Sequence, residues 1–136
     1  MGIIPPHFVK LKKISHQKGD IYQCFRANDG EELNFGEIYF TRVNQHETKG
    51  WKKHLIMCMR LVVPVGAVRF NLINEITNEK FVFELNDEDL YGYLYVPSNI
   101  WVSFTGISNL NAVMNCASIP HDPSESISVD LNAFQM

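Results

Sequence analysis

Lys52 and His54 stand two residues apart in the stretch Lys49-Gly50-Trp51-Lys52-Lys53-His54. At that spacing a β-strand turns both side chains to one face. A fixed ammonium beside an imidazole, which titrates near neutral pH, equips such a face to bind an anion or to move a proton. Directly after this pair comes the apolar run from Leu55 to Asn71, broken at Pro64-Val65-Gly66. A second turn, Val96-Pro97-Ser98-Asn99, leads into Ile100-Trp101 in the same manner. Basic groups on the inner face of a small β-barrel are therefore the first hint of chemistry.

The remaining elements agree with a barrel. The order read from composition and turn signals is Phe8 to Ile14, Ile21 to Arg26, Glu37 to Val43, Leu55 to Val63 and Ala67 to Ile73. It continues with Lys80 to Leu85, Tyr91 to Val96, Ile100 to Phe104, Ala112 to Ala117 and a short Ile127 to Leu131. Turns are expected at His16 to Asp20, where Gly19 is free to take positive φ, and at Asn28-Asp29-Gly30. Asn44 to Gly50 reads as a polar loop, and Pro64 as a break between two strands. No segment has helical periodicity beyond one turn near Asp122 to Ser126. Short strands with a turn every ten residues or so make an all-β sandwich, jelly roll or barrel.

The 136 residues form one expected domain, 1–136, long enough for a real core. Hydrophobic residues at 46% and charged residues at 20% are ordinary for a globular protein. A net charge of −3 gives no ground for a nucleic-acid partner. Cys24, Cys58 and Cys116 are widely spaced and odd in number, which favours buried thiols in a reducing compartment over a disulfide framework. No apolar stretch reaches the length of a membrane span, and Pro5-Pro6-His7 interrupts any signal pattern, so the expected location is cytoplasmic with no membrane partner.

Several stretches together resemble the cupin superfamily, and within it the RmlC-like, dTDP-4-dehydrorhamnose 3,5-epimerase-like group of nucleotide-sugar enzymes. They are Phe35 to Phe40, Lys49 to His54, Arg60 to Gly66, Val96 to Phe104 and Ile119 to Pro123. The resemblance implies a double-stranded β-helix jelly-roll barrel. Many cupins hold a metal through three histidines and a glutamate, and those positions fall here on Lys52, His54, Met59 and Val102. An ammonium, a thioether and an alkyl group do not suit a divalent cation, so no metal and no cofactor are expected.

The epimerase-like branch works without one. There the resemblance implies a histidine base that removes the proton beside the C4 ketone of a nucleotide-linked, typically dTDP-linked, 4-keto-6-deoxy sugar. A cation holds the enolate oxygen and a tyrosine returns a proton. Carried over by residue, His54 is the base and Arg60 the enolate-stabilising cation, while Asp130 is the carboxylate that orients the histidine. Lys52, Lys18, Trp51, Trp101 and His121 are the candidate substrate contacts. Each has a plainer alternative: a hydrogen-bonded histidine at a strand start, an outward-facing arginine, rim lysines, packed tryptophans and a rigid turn between prolines.

The chain also departs from the family. The histidine is displaced along its strand, and Met114 and Asn115 stand where the catalytic tyrosine is expected. Lys18 replaces an arginine fork with a point charge. Tyr39, Tyr93, Tyr95 and His121 are then the proton donors available by type. The first reading is an epimerase or isomerase of deoxysugar or polysaccharide synthesis, with one-centre epimerisation and ketoisomerisation both open. The alternative is a non-catalytic cupin that binds a sugar or nucleotide sugar. The family also implies a homodimer paired through N-terminal strands such as Ile21 to Phe25.

Overall fold

The computed structural model describes residues 4–27 and 35–136, and the turn expected at Asn28-Asp29-Gly30 lies outside them. The strands are β1 (His7–Lys10), β2 (Lys13–Ile14), β3 (Ile21–Tyr22), β4 (Glu37–Arg42), β5 (Thr48–His54) and β6 (Met59–Val65). They continue as β7 (Ala67–Asn74), β8 (Glu79–Asn86), β9 (Gly92–Val96), β10 (Trp101–Gly106), β11 (Ala112–Ala117) and β12 (Ser126–Ser128). Short 3-10 turns at Pro123–Glu125 and Leu131–Ala133 complete the chain, the first where a single turn was expected. Two antiparallel five-stranded sheets, β1-β9-β6-β11-β4 and β12-β5-β10-β7-β8, face each other, and β2 pairs with β3 beside them. This is the cupin jelly roll.

Alternation along each strand divides inside from outside. Met59, Leu61 and Val63 of β6 join Val68, Phe70 and Leu72 of β7 in the core between the sheets, with Leu94 of β9 and Val102 of β10. The opposite parity faces outward into two smaller clusters. Val9, Leu11 and Phe25 cover Val62, Tyr91 and Tyr93 on the first sheet. Val129 and Phe134 of the C-terminal segment cover Trp51, Ile73 and Trp101 on the second.

Several boundaries differ from the sequence reading. Phe8 to Ile14 is split into β1 and β2, Ile21 to Arg26 keeps only β3, and Ile127 to Leu131 becomes β12. Three further differences have a visible cause. The strand expected from Leu55 starts only at Met59, because the intervening amides are engaged elsewhere. Leu55 N–H donates to the Glu125 carbonyl, Ile56 and Met57 N–H to the Glu125 carboxylate, and Cys58 N–H to Ser118 Oγ. Pro64 does not end β6; it falls opposite the irregularity between Ala112 and Met114 of β11, where no ladder hydrogen bond is demanded of it.

The expected loop from Asn44 to Gly50 contains the first half of β5, which pairs Thr48 with Thr105 and Lys49 with Phe104. The register then shifts opposite Gly50, whose φ is +128°. A Cβ there would lie 2.6 Å from the Val102 carbonyl oxygen, so the two strands approach closely only because this residue is glycine.

Candidate active site

His54 ends β5 and is buried, with 6% of its surface exposed. In the pairing of β12 with β5, Ser126 lies opposite His54, which sets the preceding residue, Glu125, beside the imidazole. The Glu125 carboxylate accepts a hydrogen bond from His54 Nδ1 through Oε1, while Oε2 accepts from the Ile56 and Met57 amides at 3.1 and 3.2 Å. Glu125 is itself only 4% exposed. Burial pushes its carboxyl pKa upward, but the hydrogen bonds from His54 and from the Met57 and Ile56 amides outweigh that and hold it below the ordinary 4.5. The carboxylate therefore fixes the ring with Nδ1 occupied, leaving Nε2 as the nitrogen free for chemistry.

His54 lines a cavity of ≈ 510 Å³ that opens between the two sheets, a volume suited to a small molecule. On the facing sheet, Tyr39 of β4 and Asn115 of β11 line the same cavity, and Asn115 Nδ2 donates to the Tyr39 hydroxyl at 2.9 Å. His121 reaches the cavity from the loop after β11, its ring edge-on to Tyr39 with centroids 6.5 Å apart. Glu37 holds that loop by accepting from the His121 amide at 2.8 Å. Lys52 lines the cavity and is exposed, as its shared parity with His54 requires. Met59 and Val102 line it too. The cupin metal positions thus all converge on this cavity, and their donor set still does not fit a divalent cation.

Of the remaining sequence candidates, Trp51 alone borders the cavity, and the others lie elsewhere. Arg60 is not in the cavity. It sits between the inward residues Met59 and Leu61, so it points to the outer face, where its guanidinium lies 5.7 Å from the Tyr95 ring centroid. Asp130 does not orient His54. It is the exposed N-cap of the last 3-10 turn, and Glu125 occupies the orienting place.

Trp101 also faces outward, its ring 5.2 Å from Phe134 and under the Lys53 ammonium at 4.9 Å. Trp51 borders the cavity, but its indole packs 5.5 Å from Phe134 and donates to the Leu131 carbonyl at 3.0 Å. Lys18 lies in the exposed turn after β2, its amide bonded to His16 Nδ1. Of the tyrosines considered by type, Tyr39 lines the cavity; Tyr93 and Tyr95 belong to the outer face.

The Glu125 carboxylate also makes a test of stability. Its depressed folded-state pKa contributes stability that is present above about pH 4.5 and lost as the pH falls through the folded value. Asp122 and Glu75 are held low as well, by Ser124 and by Lys53 respectively. Wild-type Tm should therefore fall on acidification from about pH 5 to about pH 3, and the Tm of Glu125→Gln should fall less. Parallel slopes in thermal scans of the two proteins would sink this account of Glu125.

A jelly roll carrying a buried histidine–carboxylate pair on its inner wall defines a cupin-type protein. No family model and no curated protein matches this sequence. Solved structures do. A dTDP sugar isomerase from Desulfovibrio desulfuricans G20 aligns with a TM-score of 0.90 and 28% identity, covering 94% of this chain and 85% of that one. QdtA, a sugar 3,4-ketoisomerase from Thermoanaerobacterium thermosaccharolyticum solved with TDP, aligns at 0.76 and 20% identity, covering 93% and 89%. NovW, a 4-keto-6-deoxy sugar epimerase from Streptomyces spheroides, aligns at 0.82 and 14% identity, covering 96% and 72%. The chain has the RmlC-like cupin fold that the motifs in its sequence imply.

Proposed function

We propose that this protein is an isomerase or epimerase of a nucleotide-linked 4-keto-6-deoxy sugar, dTDP being the nucleotide of the relatives. The observation that carries the reading is the His54–Glu125 pair at the wall of a cavity whose opposite wall presents the Tyr39 hydroxyl. His54 Nε2 takes the proton from the carbon beside the ketone. The C–H electron pair becomes the C=C bond of an enolate, and the former ketone oxygen takes the negative charge. Glu125 stabilises the imidazolium as it forms, and the Lys52 ammonium at the cavity stabilises the oxyanion or the substrate phosphate. Tyr39 then supplies a proton to the enolate, with Asn115 fixing its hydroxyl. Delivered to the opposite face of the carbon that lost its proton, it completes an epimerisation. Delivered to the former ketone carbon, while the proton of the neighbouring hydroxyl passes to the former ketone oxygen, it moves the ketone to the neighbouring carbon. The 28%-identical neighbour, a dTDP sugar isomerase, supports the general class.

The test is solvent exchange with dTDP-4-keto-6-deoxyglucose in deuterated water, followed by mass spectrometry and product NMR. Deuterium incorporated with turnover supports the proposal; binding with neither exchange nor product favours the non-catalytic cupin instead. Tyr39→Phe separates the two half-reactions. It should lower product formation about 10- to 100-fold while the His54-dependent exchange of the substrate proton persists. Undiminished product formation would remove Tyr39 from the mechanism.

A further inference from the structure

A second cavity of ≈ 350 Å³ lies on the outer face of the β1-β9-β6 sheet, away from His54. Lys10, Lys12, Arg26 and Arg60 line it, four of the chain's twelve lysines and arginines, with no carboxylate among the described lining residues. A protein of net charge −3 has thus gathered a third of its cations round one hollow. Like charges so placed repel one another unless an anion neutralises them. Arg60 is the informative member. It is half-buried, it points into a cavity the proposed chemistry does not use, and its Nε is buried with no hydrogen-bond partner. A buried donor left unpaired costs stability that a ligand oxygen would recover. Gln23, at the same cavity, has a buried Oε1 that also lacks a partner, which a hydroxyl or ring N–H would satisfy.

We propose that this outer cavity is a second ligand site, binding a diphosphate-bearing metabolite through Arg60, Lys10, Lys12 and Arg26. The planar guanidinium presents donors to one phosphate in a fork, while the lysines and Arg26 at the rim meet the other as mobile charges. Gln23 is placed to read a group beyond the phosphates, so a nucleoside diphosphate binds more tightly than bare pyrophosphate.

The test is an amide NMR titration of the intact protein with inorganic pyrophosphate, thymidine diphosphate and thymidine in separate arms. Saturable shifts at Lys10, Lys12 and Gln23 to Arg26 are expected with both diphosphates and absent with thymidine. They should weaken as ionic strength rises from about 0.01 M to about 0.15 M, because the Debye length shrinks from about 30 Å to about 8 Å. Arg60→Met and, independently, the surface variant Lys12→Gln should each weaken these shifts at least several-fold, while shifts at the Tyr39 and Asn115 amides stay as in the wild type. Lys12→Gln guards against a folding defect in Arg60→Met. Equal affinity for the two diphosphates would assign the site to pyrophosphate-type anions and remove Gln23 from it. Shifts confined to the barrel cavity, or rising linearly without saturation, would overturn the proposal.

Discussion

Replacing His54 by asparagine is expected to leave a folded protein that turns over dTDP-4-keto-6-deoxyglucose about 10³-fold more slowly, a loss of about 4 kcal/mol of transition-state stabilisation. Asparagine keeps a polar group beside Glu125 but cannot take a proton from carbon. The variant should also lose exchange of the substrate proton with deuterated solvent, which Tyr39→Phe should not. That contrast matters because His54 and Glu125 are both buried, and breaking their bond also costs stability, about 1–3 kcal/mol for a buried group left unpaired. Slower turnover alone could reflect a looser site. Loss of exchange in a variant that still binds the nucleotide sugar cannot. A kcat within about threefold of wild type would remove His54 as the base.

His54 was legible because strand parity is a local rule and the stretch that carries it is a true strand. Lys52 and His54 do share the cavity face. Arg60, carried over from the resemblance, shows where that rule fails. Extending the parity of His54 six residues onward assumes one uninterrupted strand, and Leu55 to Cys58 interrupt it by giving their amides to Glu125 and Ser118. The count restarts at Met59, which faces inward, so Arg60 faces out. Trp101 is the same case on a strand whose two faces are both buried: hydrophobicity does not say which side of Trp101-Val102 looks into the barrel.

Glu125 had no readable signal. It stands in a polar segment after two prolines, and only the antiparallel register of β12 on β5 brings it to His54 across 71 positions of chain. Asp130, chosen instead by resemblance, lies five residues further on, past the point where that register ends. The jelly roll itself was far more legible than its site. Alternating strands and glycine or proline turns are local properties, whereas a buried histidine–carboxylate pair is a property of strand pairing.

Asn111→Ala is expected to be the alanine change most damaging to stability outside the cavity, at about 3–5 kcal/mol. Asn111 is 1% exposed, and every hydrogen-bonding capacity of its amide is used. Its Oδ1 accepts from the Ala67 and Ser108 amides, and its Nδ2 donates to the Val43 and Ser108 carbonyls. One side chain thereby ties the end of the β4 segment, the start of β7 and the loop before β11. The neighbouring backbone is shaped to it. Gly66 has φ +87°, and a Cβ there would lie 2.4 Å from Asn111 Oδ1. Alanine would leave two amides and two carbonyls without their partners, and the loss should appear as a fall in Tm of about 10–15 °C. Asn111→Asp keeps the acceptor but sets a second carboxylate oxygen against the Val43 and Ser108 carbonyls in a buried site, and should destabilise at least as much as alanine. Because Asn111 lies by Gly106, at the opposite end of β10 from Trp101 and its partner Lys53, kcat measured well below Tm should change less than about twofold. A Tm within about 3 °C of wild type would show that water replaces the amide at little cost. A large loss of kcat with Tm preserved would show instead that the two ends of the barrel are coupled.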